Sequence, residues 1–131
     1  MSFDIVAFGP AATTDSGFLD WYGVQVDWAE DHDYGDVTVT TPELRAFYTA
    51  LAEVFPPLNG PGAPSDEELT ADPSLEGRLT DYSIGGAIIY AGFGWSQAER
   101  ATEVFCALAA EHRVAVALVS HDAPVPPIIR P

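Results

Sequence analysis

Gly85-Gly86 is the feature that most limits how this chain can fold. It separates two short stretches rich in apolar and β-branched residues, 80–84 and 87–93. Paired glycines supply the positive φ angles of a two-residue hairpin turn, so an antiparallel hairpin is expected there. Helical patterns lie on both sides of it. Upstream, Thr41 is a good N-cap, Pro42 fits the first helical position and Glu43 suits the positive end of the dipole. Leu44, Phe47, Tyr48, Leu51 and Phe55 follow at helical spacing, and Pro56-Pro57 stop the helix. Downstream, Ser96-Gln97-Ala98-Glu99 has the spacing of a capping box. Ala101, Val104, Phe105, Leu108 and Ala109 then line one face of a helix that ends near His112-Arg113.

The outer segments complete the pattern. Residues 3–8 are short, apolar and closed by Gly9-Pro10, which reads as a mostly buried first strand. Residues 114–119 form an unbroken apolar run, hence a central or fully buried strand. In the tail, which holds four prolines, Ile128-Ile129 are placed to dock against the sheet. The order is β-α-β-β-α-β, the split arrangement of ferredoxin-like domains, in which two amphipathic helices cover one face of an antiparallel sheet. The expected class is therefore α+β, in a single domain spanning residues 1–131. Residues 15–22 suggest a short helix with Phe18, Leu19 and Tyr22 on one side. Two acidic inserts, 20–36 and 65–81, are expected to decorate the scaffold, and Ser65 to Glu68 has capping-box spacing for one or two helical turns.

Charge narrows the partners. Asp and Glu number 20 against 5 Arg and no Lys, giving a formal net charge of −15. A hydrophobic content of 47% separates the chain from disordered acidic tails, so the charge belongs to a folded domain. Such a field repels nucleic acid and anionic membrane and attracts basic proteins or cations. The single Cys106 has no internal disulfide partner, and residues 1–10 lack the basic start of a signal peptide. No run approaches the roughly 18 apolar residues that span a bilayer. These readings together set the expectation of a cytoplasmic protein.

Motifs for chemistry do not survive inspection. Gly92-Phe93-Gly94 lies where a dinucleotide-binding turn would be, but Gln97 occupies the third glycine position, so the glycines read as a tight bend from strand into helix. The run Asp27, Glu30, Asp31, Asp33, Asp36 invites a calcium reading. Counted from Asp31, however, Gly35 falls at the third ligand position and Pro42 at the twelfth, so an EF-hand loop is not met. His32, His112 and His121 are too scattered for a zinc signature, and Ser120-His121-Asp122 reads as a turn. No catalytic residue, metal site or cofactor is implied.

Aromatic residues mixed with acids exceed background in one region: Asp20, Trp21, Tyr22, Asp27, Trp28, Glu30, Asp31, Asp33, Tyr34 and Asp36. Aromatic anchors ringed by charge are the composition of a protein–protein hot spot. The same tryptophans and Tyr22 are equally readable as core. The candidate partner-binding set is Asp27, Trp28, Glu30, Asp31, Asp33, Tyr34 and Asp36, with Asp66, Glu67 and Glu68 of the second insert. Trp28 and Tyr34 would be its apolar anchors.

Several stretches resemble a family of small, largely uncharacterised bacterial proteins. They are Phe18-Leu19-Asp20-Trp21-Tyr22, Val39-Thr40-Thr41-Pro42-Glu43-Leu44-Arg45-Ala46 and Phe55-Pro56-Pro57-Leu58-Asn59-Gly60-Pro61. Thr80-Asp81-Tyr82-Ser83-Ile84-Gly85 and Phe93-Gly94-Trp95-Ser96-Gln97-Ala98-Glu99 belong with them, so the likeness runs to about His112. From Val114 onward the chain lacks the aromatic, glycine and acidic residues of that family's last strand and hairpin. Some members look like immunity proteins encoded beside secreted polymorphic toxins, and the family carries no agreed catalytic residues. With the charge, the resemblance implies an acidic binding protein that neutralises a basic partner, most simply a toxin domain that acts on nucleic acid. The rival is a small enzyme or ligand-binding domain, with Tyr82, Tyr90, Trp95 and His121 around a pocket between the sheet and an acidic insert. A third reading is an interaction or stress module whose acidity serves solubility alone.

Overall fold

In the computed structural model, residues 2–27, 37–58, 62–120 and 126–131 are described. Five strands form one sheet: β1 (Phe3–Phe8), β2 (Asp81–Ile84), β3 (Ile88–Phe93), β4 (Ala115–Ala117) and β5 (Ile128–Ile129). Their order is β2-β3-β1-β4-β5, and each neighbouring pair is antiparallel. β1 sits at the centre, with Phe3 opposite Phe93 and Phe8 opposite Ile88. The helices are α1 (Phe18–Val26), α2 (Pro42–Val54), α3 (Asp66–Ala71), α4 (Ser74–Arg78) and α5 (Ala98–His112). The protein is α+β, as its apolar spacing implies.

Strand alternation divides the core in two. Phe3, Ile5 and Ala7 of β1 join Ile89, Ala91 and Phe93 of β3 in the larger cluster, under α2 and α5. Leu44, Phe47 and Leu51 of α2 and Phe105 of α5 are fully buried there. Phe47 and Phe105 meet edge to face at 4.9 Å, and Phe55 meets Phe93 at 5.0 Å. The Tyr82 hydroxyl donates to the Phe55 carbonyl at 2.7 Å, tying the end of α2 to β2. Burial, with the nearby Tyr48 hydroxyl second, raises the Tyr82 pKa well above the ordinary tyrosine range.

The other residues of β1 face a second cluster. Val6, Phe8, Ile88, Ala115 and Ala117 pack there under α1, with Phe18, Trp21 and Tyr22 descending onto them. The Phe8 ring lies 5.4 Å from both Phe18 and Trp21. Residues 20–26 are therefore part of a packed helix, not a surface decoration. α1 also runs four residues past the expected end at 22, since Gly23 to Val26 continue the turn. In the second stretch α3 and α4 bury no residue, but Thr80 is buried and Asp81 belongs to β2.

At the helix starts the caps expected for α2 and α3 hold, whereas α1 begins at Phe18 rather than 15, behind Gly17 with no side-chain cap. Thr41 Oγ1 accepts from the Leu44 amide at 3.2 Å, and Ser65 with Glu68 forms both arms of a capping box. Ser96 caps nothing. Residues Trp95–Gln97 form a 3-10 turn instead, closed by Gln97 N–H to the Gly94 carbonyl at 2.9 Å, and α5 begins at Ala98. The hairpin exists, but not for the reason its glycines suggest. Among the described residues positive φ occurs at Gly62 and Arg113, and the turn closes through Gly85 N–H to the Ile88 carbonyl at 2.8 Å. Gly92 is likewise not a bend. It lies inside β3 opposite Asp4, where a Cβ would come within 3.3 Å of Asp4 Oδ1 and Ser2 Oγ.

Two arginines lock the loops that support this sheet. Arg130 donates to the Pro10 and Thr13 carbonyls at 2.7 and 2.9 Å and to Asp15 Oδ1 at 2.6 Å. It thereby pins the chain end beyond β5 to the loop before α1. Arg45 donates to the Val37 carbonyl at 3.0 Å and to Thr38 and Thr40 carbonyls, holding the 3-10 turn Val37–Val39 against α2.

Candidate functional site

The acidic surface starts from what the fold does not need. Every described carboxylate side chain except that of Asp4 is exposed. Among the described residues only Asp15 and Asp72 pair with an arginine, Arg130 and Arg78 respectively. Arg45, Arg78 and Arg130 are all engaged within the chain, and with their charges counted the net charge is still −15.

Of the candidate partner-binding residues, Asp27 is the exposed C-cap of α1. Asp66, Glu67 and Glu68 form the first turn of α3, also exposed. Glu68 is occupied by the capping box, and all three complement the positive end of that helix. Trp28, Glu30, Asp31, Asp33, Tyr34 and Asp36 lie outside the described residues, so the calcium and aromatic-anchor readings of that run fall there too. Trp21 and Tyr22 are half-buried against Phe8 and Phe18, which makes them core rather than free anchors.

α1 is thus the described part of the aromatic and acidic region. Phe18, Trp21, Tyr22 and Gln25 fall on its inward side at helical spacing. Its outward side carries Asp20, Gly23 and Asp27, flanked by Leu19 at 46% exposure and Val24 at 63%. Nothing lies within 4 Å of where a Gly23 Cβ would be.

Below the inner edge of α1 the sheet holds a polar network that the sequence did not reveal. The Tyr90 hydroxyl donates to Asp4 Oδ2, and Ser2 Oγ donates to Asp4 Oδ1 at 2.5 Å. The Asp4 amide donates to Ser120 Oγ at 2.8 Å, so the serine continues a ladder that β4 no longer supplies. The Tyr22 hydroxyl faces Tyr90, and burial, then the Asp4 charge, raises its pKa. Burial and the bond to Asp4 raise Tyr90 further. Tyrosines held protonated in this way are hydrogen-bond donors, poor acids for catalysis at neutral pH.

The residues proposed to line a pocket do not converge. Tyr82 lies under α2 and α5, whereas Tyr90 lies on the opposite face of the sheet. Trp95 is half-exposed and packs edge to face on Phe3 at 5.2 Å, and His121 is outside the described residues. Among the described residues no group of three His, Cys, Asp or Glu side chains is placed to hold a metal. No described helix is long and apolar enough to cross a membrane. Burial pushes the Cys106 thiol up, away from the thiolate a nucleophile needs. Searches against protein-family models, curated proteins and solved structures give no match to this chain.

Proposed function

We propose that this protein is an acidic binding protein that neutralises a basic partner, in the manner of an immunity protein acting on a toxin domain that cuts or binds nucleic acid. The observation that carries the reading is the outward field: a net charge of −15, with every described carboxylate but Asp4 exposed. A toxin that grips phosphates must carry a basic cleft. Carboxylates seated there speed association and exclude the substrate. The resemblance of 18–22, 39–46 and 93–99 to a family with immunity-like members points the same way, and the reading places the neutraliser in the cytoplasm.

The finer fold assignment belongs to the same reading. A ferredoxin-like scaffold is supported by β1 lying between β3 and β4, by antiparallel pairing throughout and by α2 and α5 on one face. α1 and β5 are then additions to that scaffold.

The test begins with the neighbouring gene. A large secreted protein with a variable C-terminal domain is expected directly upstream. Expressing that domain with and without this chain should show growth restored by the chain, together with a complex on gel filtration. A metabolic operon, or no rescue and no complex, would overturn the reading.

A further inference from the structure

The outward side of α1 combines exposed apolar side chains with two residues that weaken a helix. Leu19 and Val24 expose large apolar side chains to water. Gly23 stands mid-helix, where glycine is about 1 kcal/mol worse than alanine. It occupies open space, so neither a close approach nor a positive φ requires it. Asp27 caps the negative end of the helix dipole, with no basic residue in the last turn to offset it. Sequences settle on such concentrations of local disadvantage where a surface is kept for something other than stability.

The shape they make is specific. At 3.6 residues per turn, Asp20, Gly23 and Asp27 form a central stripe, with Leu19 on one flank and Val24 on the other. Missing its Cβ, Gly23 leaves a notch of bare backbone between two apolar ridges, with a carboxylate on either side along the axis. A lysine or arginine has matching parts: an aliphatic stem that packs on apolar surface and a cationic head that seeks carboxylate. A cation near Asp27 would also offset its clash with the helix dipole. We infer that the α1 notch is the docking point for a lysine or arginine side chain of a basic protein partner, an inference that rests on the acidic-binder reading above.

Two peptides separate the two claims: a short amphipathic helix of leucine and lysine, and an oligolysine of equal length. Each is titrated into the full chain at low and high salt and followed by amide NMR shifts. The notch predicts that the leucine–lysine peptide shifts Leu19, Asp20, Gly23, Val24 and Asp27 before other residues. Gly23→Gln, which fills the notch on an exposed helix face, should weaken that peptide about tenfold, a change of about 1.4 kcal/mol. Its circular dichroism should remain that of the parent, and its oligolysine binding should hardly change. Shifts centred elsewhere, or a Gly23→Gln chain that binds the peptide as tightly as the parent, overturn the notch while salt-sensitive oligolysine binding leaves the acidic-binder reading standing. Failure of both peptides to bind at low salt overturns that reading and the notch with it.

Discussion

The two faces of the sheet are built to different standards. Under α2 and α5, helices of 13 and 15 residues interlock through Phe47, Phe55, Phe93 and Phe105, all at most 1% exposed. Under α1, a helix of 9 residues covers Val6 and Phe8 with half-buried Trp21 and Tyr22, and the sheet beyond is closed by hydroxyls around Asp4. The first face stabilises through apolar area and ring packing. The second accepts polar groups and an outward surface poor for a helix. The contrast assigns most of the stability to one face, and the other is where the partner surface is proposed.

Mutations should expose that asymmetry. Phe105→Ala empties the centre of the larger cluster and should cost about 3–5 kcal/mol in denaturant unfolding. Trp21→Ala removes a ring that already meets solvent, so a smaller loss of about 2 kcal/mol is expected. If the two losses are equal, the faces are equivalent and the comparison fails.

An alkaline titration of stability probes the larger face through Tyr82. Its folded pKa is raised above the ordinary value of 10.0, chiefly by burial. The sign follows: the contribution is intact below pH 10 and is lost as pH climbs from there toward the folded value, because the unfolded chain releases the proton first. One such tyrosine removes about 1.4 kcal/mol per pH unit in that window. Tyr82→Phe starts less stable, lacking the bond to the Phe55 carbonyl, yet should decline less steeply above pH 10. An identical slope would place Tyr82 in contact with water.

Arg130→Ala should have a smaller effect, about 1 kcal/mol. The loss is local, since the arginine ties the chain end to residues 10–15 on the second face. Hydrogen exchange should quicken at the Leu118 amide, which donates to the Pro127 carbonyl, before it changes in β3. Uniform quickening across the sheet would make the tail part of the main core.

The apolar periodicity of 44–55 and 101–109 announced α2 and α5, and 3–8 was legible as β1 to the residue, because these segments follow one physical rule along their length. What escaped were features set by partners distant in sequence. A side chain at Gly92 would crowd the Ser2 and Asp4 side chains lying over it, contacts no local pattern encodes. Ser120 sits in a turn, as read, but its hydroxyl replaces a strand partner of Asp4 from 116 residues away. Trp21 and Tyr22 offered two readings that composition left level. The direction of α1 against Phe8 decides them as core, and the surface proposed above for a partner includes Leu19, Gly23 and Val24 on the other side.

The central claim is that the outward face of α1 serves a partner at the expense of the fold, and Gly23→Ala tests it most directly. Nothing obstructs the added methyl, and the helix gains propensity. Unfolding in denaturant should show the variant about 1 kcal/mol more stable than the parent, while the leucine–lysine peptide binds it more weakly. A variant that is less stable, or that gains stability and binds the peptide unchanged, would contradict the account.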